Sequence, residues 1–382
     1  SMVVTVERNG EPVLTRRFGE LEIAPGETRD YPLFDIPVFD ACTTLNVSVR
    51  QNIETPWAPA GHEVGFTQFI LSDDLAYLPA HVGGAELSED RDAYIVTVGE
   101  TVYRVGKVSG LMEDICDNGK HLIVSPVAPT FWRAPTDNDR IIRQKWESAG
   151  LHRLDLHGYK TTAEEKDGFV TVTSLVSAGA KCKDYLAKMT IVYTFSRDRG
   201  CTVDCHMQMN ENNKEHVFLP RFGFRFVMPE GAEDIRYFGY GPTESYEDKR
   251  LAAHLGFFRT TATKNFEPYV RPQENSAHVG CRFADVTTVG GHGLFFGSET
   301  FSLSASHFSP ELLTRVRHDY ELVPERETTV IIDYRNSGVG SGSCGPALPK
   351  KFRIDEPDIH FNFSVKPVRT GNILPFKEYE NK

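Results

Sequence analysis

The chain has 382 residues, 40% hydrophobic and 25% charged, enough apolar material for two or three globular domains. Its formal net charge of -11, with no offsetting basic run, excludes a nucleic-acid partner, whose phosphates it would repel. No apolar stretch nears the ~20 residues of a membrane-spanning helix, so no membrane partner is expected, while neutral polar ligands such as sugars stay compatible.

Along the chain, period-two alternation dominates and predicts an all-β fold. "SMVVTVERNG" and "LNVSVRQ" read as strands of a small sandwich over residues 1–72, with "APGETRDYPLFDIP" supplying Pro-Gly turn chemistry. The opening shows no basic region followed by an apolar one, so no signal peptide is visible; it starts inside a strand, as a cut piece of a longer chain would. Residues 73–90, polar and Gly-containing, read as a linker. From 91 to 382 one large β unit is expected, with strands in "YIVTVGETVYRVGK", "FVTVTSLVS", "LAKMTIVYTFS", "GLFFGS", "FSLSAS" and "TTVIIDY". In "RFGFRFVMP", Phe222, Phe224 and Phe226 face one way; in "DIHFNFSV", Ile359, Phe361, Phe363 and Val365 do. Two short helices are predicted, "NDRIIRQKWESAG" closing on Gly150 and "SPELLTRVRHD" capped by Ser309 with Pro310 behind it. "NSGVGSGSCGP" (336–346) reads as a flexible loop by composition.

The seven cysteines are scattered and odd in number with no C-x-x-C pair, so they read as free thiols, as in a reducing, cytoplasmic compartment. The histidines form no H-x-x-x-H or H-E-x-x-H pattern, so neither a metal site nor zinc hydrolysis is indicated; no G-x-S-x-G elbow is present either.

"TFWRAPTDND" (130–139) is the densest polar-aromatic motif. Phe131 and Trp132 fit either a platform for the apolar face of a sugar or a pair of core rings, whereas Trp57 and Trp146 read as core. Asp137 and Asp139, if extended, stand about 6–7 Å apart, at the edge of the inverting-glycosidase range. Turn sequence around them, and Arg133 nearby, favour a structural bridge over a general acid. "FGYGPTESYEDKR" (238–250) lacks the third glycine of a phosphate loop and reads as a turn crossing held by ion pairs. "PYVRPQENSAH" (268–278) offers Tyr269, Arg271, Gln273, Glu274 and Asn275 as hydroxyl-binding groups or as plain loop polarity.

Together with "YVRPQENSAHVGCRF", "FSLSASHFSPELL" and "IDYRNSGVGSGSCGP", these stretches resemble the small-chain domain of β-galactosidases of glycoside hydrolase family 2. "NVSVRQNIETPWAPAGHEVGFTQFIL" resembles the end of the immunoglobulin-like domain before it, so the likeness covers nearly the whole chain. It implies an immunoglobulin-like sandwich, here short of its first strand, followed by a large galactose-mutarotase-like β-supersandwich. It also implies that the catalytic glutamates and magnesium, with possible sodium, belong to a (β/α)₈ barrel whose sequence is not in this chain. Partners implied are β-galactosides, the barrel and N-terminal domains, and a possible homo-oligomer. Arg133, Asp137, Asn138 and Asp139 match the family's motif, as do Gly241, Pro242, Glu244, Tyr246, Asp248 and Arg250, and Asp333, Gly338, Gly340 and Gly345. The expected substrate-binding set is Phe131, Trp132, Arg133, Asp137, Asn138, Asp139, Asp333 and Arg335, with no catalytic residue. Thr328, Thr329 and Val330 stand where some members place a stacking Trp, which weakens sugar stacking from that strand. The implied function is a non-catalytic C-terminal part bordering the active site of a β-galactosidase. The alternatives are a free-standing carbohydrate-binding module and an aldose epimerase, which would need a converging His and Glu.

Overall fold

The computed structural model describes residues 1–37, 39, 41–75, 77, 80, 82–211, 217–369, 376 and 379. It divides into two compact units, Ser1–Ala76 with His254–Phe257, and Tyr77–Ala253 with Phe258–Lys382.

The first unit is built on one antiparallel sheet, β1 (Met2–Arg8), β2 (Glu11–Phe18), β3 (Cys42–Arg50) and β4 (Glu63–Asp73), in the order β2-β1-β3-β4. Alternation puts Val4 and Val6 of β1 and Leu45 of β3 inside. They are covered by Phe34, Ile36 and Phe39 from an irregular segment, so among the described residues no second sheet completes a sandwich. Trp57, expected in the core, is instead 67% exposed on a loop, its ring edge-on to His62.

In the second unit a five-stranded meander comes first: β5 (Ala85–Glu89), β6 (Ala93–Val98), β7 (Thr101–Gly106), β8 (Met112–Asp117) and β9 (Lys120–His121). The stretch read as linker thus contributes a strand, because Ala85 is buried and β5 pairs along its length with β6.

A twelve-stranded sheet follows: β10 (Ala128–Thr130), β11 (Asp155–Lys166), β12 (Phe169–Gly179), β13 (Tyr185–Ser196), β14 (Gly200–Met209), β15 (Arg221–Met228), β16 (Ala232–Gly241), β17 (His254–Thr261), β18 (Ala277–Thr288), β19 (His292–Ser306), β20 (Thr328–Asn336) and β21 (Asp358–Arg369). Its main path is β10-β15-β20-β19-β21-β14-β13-β12-β11, with β18, β16 and β17 branching from β19.

The runs "GLFFGS" and "FSLSAS" prove to be one strand, β19. Its first half pairs with β21 and its second with β20, while β18 follows it along the other side with register shifts. A strand that changes partner midway bends the sheet.

That bend lets aromatic rings from non-adjacent strands meet. Phe363 of β21 lies 5.3 Å from Phe224 and 6.2 Å from Phe226 of β15, and Phe226 lies 5.0 Å from Phe296 of β19. The meander joins the same core through Tyr103, whose ring is 5.1 Å from Phe195.

Both predicted helices form, α1 (Ile142–Ala149) and α2 (Pro310–Arg315). Ser309 caps α2 by accepting from the Leu312 amide, as its sequence foretold. Asn138 and Asp139, the first residues of the predicted helix "NDRIIRQKWESAG", lie instead in a 3₁₀ turn, Asp137–Arg140. Trp146 anchors α1 by donating from its indole to the Phe218 carbonyl at 2.8 Å.

All seven cysteines are free; Cys201 and Cys205 share the buried face of β14, and burial pushes both thiols up. Phe363→Ala is expected to cost the second unit about 3–5 kcal/mol, read from denaturant midpoints. A loss under about 1 kcal/mol would mean these rings are not the centre of its core.

Candidate functional site

The motif loops meet where β20 ends. Arg133, completely buried, chelates Asp139 at 2.8 and 3.1 Å from one nitrogen and at 3.3 Å from another. The same guanidinium donates to the carbonyls of Ser337 and of Gly338, and lies 5.4 Å over the Trp146 ring. Asp139 also accepts the Thr136 amide at 2.9 Å, which closes the turn. One arginine therefore ties "FWRAPTDND" to "RNSGVG".

A second buried arginine stands beside it. Arg221 opens β15 and grips Asp333 of β20 through two nitrogens, at 2.6 and 3.1 Å, with Glu274 at 3.4 Å. Asn336 and the Ser304 hydroxyl complete the cluster, Asn336 donating to Asp333 at 2.9 Å. Gly223 lies across from Asp333 at a bulge, and a Cβ there would sit 2.4 Å from the carboxylate.

The remaining loops attach by single hydrogen bonds. Asn138 donates to the Val339 carbonyl at 2.7 Å, and Gln273 accepts the Asp137 amide at 3.0 Å. The Asp248 carboxylate takes the amides of Val339 and Gly340, an approach possible because a Cβ on Gly338 would lie 2.5 Å from it. Glu244 accepts from Lys249, Tyr269 and the Ser276 amide. Residues 336–339, expected to be flexible, are buried, and 337–339 are hydrogen-bonded on their backbone; exposure begins at 340.

Burial and pairing pull on these charges in opposite directions. Burial pushes the carboxyls of Asp333 and Glu274 up, with Arg221 opposing it in each. Burial alone would lower Arg221, but the two carboxylates more than offset it and hold the guanidinium charged. The two-point grip favours an ionised Asp333. Glu274 has one longer contact and an oxygen without a partner among the described residues, so its ionisation is the costly one.

Several expected site residues are thereby corrected. Phe131 and Trp132 are buried, the Trp132 indole donating to Thr314 at 3.1 Å, so neither offers a ring face to a sugar. Arg133, Asp139 and Asp333 are likewise enclosed and consumed by ion pairs. Asp137 stays outside, 62% exposed and 3.7 Å from Arg271. Arg335 lies apart from the cluster, paired with Glu356 at 2.8 Å on the wall of a cleft of about 520 Å³ that also contains Tyr334, His360 and Asn362. A pocket of about 350 Å³ does open beside the turn, between Asn138, Ile142 and Lys145 and the loop Gly338–Leu348.

Asp139 is enclosed in its ion pair with Arg133 while Asp137 is exposed beside Arg271, so the two do not work as an acid pair. The converging His and Glu of an epimerase are not met by His307 and Glu233, which close on each other at 2.6 Å. Arg221 is the residue the sequence left unmarked; its signal was an arginine directly before "FGF" on a strand with a buried face.

Residues 97–365 match the family described as "Beta galactosidase small chain", and residues 1–72 match "Beta-galactosidase, domain 4". The β-galactosidase of Actinobacillus pleuropneumoniae is 33% identical over 84% of this chain and 32% of its own length. That of Staphylococcus xylosus is 32% identical over 72% and 27%. The chain thus spans between about a quarter and a third of the length of these relatives. The galactose 1-epimerase of Lactobacillus acidophilus NCFM aligns over 76% of this chain and 98% of its own, at 10% identity and a TM-score of 0.34.

Asp333→Asn leaves Arg221 buried with half a partner and is expected to cost about 3–5 kcal/mol. Glu274→Gln should cost far less, or stabilise, at neutral pH. Burial raises both carboxyls, so the difference lies in pairing: Glu274 makes one 3.4 Å contact and leaves an oxygen without a partner among the described residues, whereas Asp333 is held at 2.6 and 3.1 Å by Arg221 and at 2.9 Å by Asn336. Denaturant titrations of both variants at neutral pH check this; equal losses would mean that ionised Glu274 is as well paired as Asp333.

Proposed function

This chain belongs to the β-galactosidase family, and from that premise we propose that it is the non-catalytic rim of such an enzyme, a preformed edge against which a separate catalytic barrel closes. The observation that carries this reading is the fate of the carboxylates. Asp139, Asp333, Asp248 and Glu244 each accept from Arg133, Arg221, loop amides or Lys249, and Glu274 is buried against Arg221, so none is placed to pass a proton to a glycosidic oxygen. Such bonds make rigid loops, which is what a wall beside another domain's active site needs.

The outer contacts to a galactoside then fall to the exposed side chains of that wall, Asp137 and Arg271 first. Phe131 and Trp132 support it from behind. Exposed apolar side chains on β4 (Val64, Phe66, Phe69, Ile70 and Leu71) also fit a chain that packs against further domains. Magnesium and sodium belong, by the family likeness, to the barrel. The one group of metal-capable side chains among the described residues is rich in imidazole, which suits neither ion, so no step runs through them here.

A carbohydrate-binding module is the second reading, favoured by the cleft beside Arg335, where Tyr334, Asn362 and Ser302 offer one aromatic wall and several hydroxyl partners. Calorimetry with galactose and lactose separates the two, since a rim without its barrel should give no saturable heat.

Purified chain 1–382 is expected to release no chromophore from a nitrophenyl β-galactoside. Turnover that disappears in Asp137→Asn would overturn the rim reading.

A further inference from the structure

We infer that His206, His360 and Asp358 form a binding site for a divalent transition-metal ion of the zinc and cobalt class on the polar face of the large sheet. The site is independent of the glycosidase reading and of the rim.

The sheet register brings these residues together. His206 of β14 lies directly across from His360 of β21, and Gln208 across from Asp358. Because side chains alternate, all four project from the face opposite Phe361 and Phe363. The two imidazoles stack at 4.1 Å with planes 10° apart. Both present Nε2 to one carboxylate oxygen, Asp358 Oδ1, from 2.5 and 3.6 Å.

All three ligating atoms lie within 4.8 Å of one another. Around a tetrahedral zinc with bonds of about 2.0–2.2 Å, neighbouring ligand atoms stand roughly 3.3–3.6 Å apart. His360 and Asp358 already have that spacing. To admit the ion His206 must draw back by about 1 Å, and because an ion lies in the plane of each imidazole that binds it, the two rings must also turn out of their parallel stack. Both movements are open to side chains that are 33%, 49% and 70% exposed for His206, Asp358 and His360.

Gln208 Nε2 donates to the other carboxylate oxygen at 3.2 Å, which orients Asp358 and leaves Oδ1 for the ion. Two imidazoles and a carboxylate suit zinc, cobalt, nickel or copper rather than magnesium or calcium. Three protein ligands on an open face leave a fourth position for water or a ligand donor, and His360 stands on the wall of the 520 Å³ cleft.

The test titrates Co²⁺ and Zn²⁺ separately into the full chain at neutral pH. One equivalent of Co²⁺ should give visible d–d absorption of a nitrogen and oxygen site, with no thiolate charge-transfer band from the exposed Cys182 or Cys344. Calorimetry with Zn²⁺ should show the same stoichiometry. His206→Gln and His360→Gln should each weaken binding by more than the about tenfold expected for Gln208→Ala, which removes only the orienting bond. His121→Gln, at another His–Asp pair, should change nothing. Metal-free circular dichroism of each variant should match the parent, since the side chains are on the surface; Asp358→Asn is the second variant should a histidine change disturb folding. No saturable binding at millimolar metal, a thiolate band, or affinity unchanged in both histidine variants would overturn the site.

Discussion

The Arg221–Asp333 pair, with Arg133–Asp139 beside it, is the constraint around which the second unit is arranged. Two guanidinium groups and three carboxylates are taken out of water in one place, at a desolvation cost that only close, multiply bonded geometry offsets. That geometry needs the start of β15, the end of β20 and the turn after β10 in fixed positions. It also needs a glycine opposite Asp333 and another beside Asp248, where any side chain would collide with a carboxylate. A cluster so demanding specifies one arrangement of loops and disfavours others.

The same geometry underlies the proposal that these loops form a wall and do not supply reacting groups. A general acid must exchange a proton with substrate; a carboxylate held at two points by a buried arginine keeps its charge and its place. The aromatic residues follow the same logic. Trp132 and Trp146 are edge-on at 6.4 Å behind Arg133 and fill the space that would otherwise admit water to the ion pair. What is left facing outward includes the polar Asp137 and Arg271 and the apolar Ile141 and Val270.

Much of the fold could be read from alternation, since Phe222, Phe224, Phe226, Phe361 and Phe363 are inside as their spacing implies. The helix starts were legible where capping is local, as at Ser309. The reading failed where burial depends on remote chain. Trp57 looked like core but is mostly exposed, with the His62 ring against it, Ala85–Glu89 looked like linker but gains a partner strand, and "FWRAPTDND" looked open to sugar but is roofed by residues some two hundred positions away.

By itself, then, the sequence determined the all-β character, the faces of the main strands, the family likeness and the structural role of the Asp139 turn. The family likeness rests on motifs spread along the whole chain; the other three follow from periodicity or from neighbours within a few residues. Only the tertiary structure decided which charges meet: Arg221 with Asp333, Arg133 with the Ser337 carbonyl, and His206 with His360. Those meetings are fixed by the register of strands that pair far apart in sequence, and register is set by the packing of a whole sheet face, which no local pattern encodes.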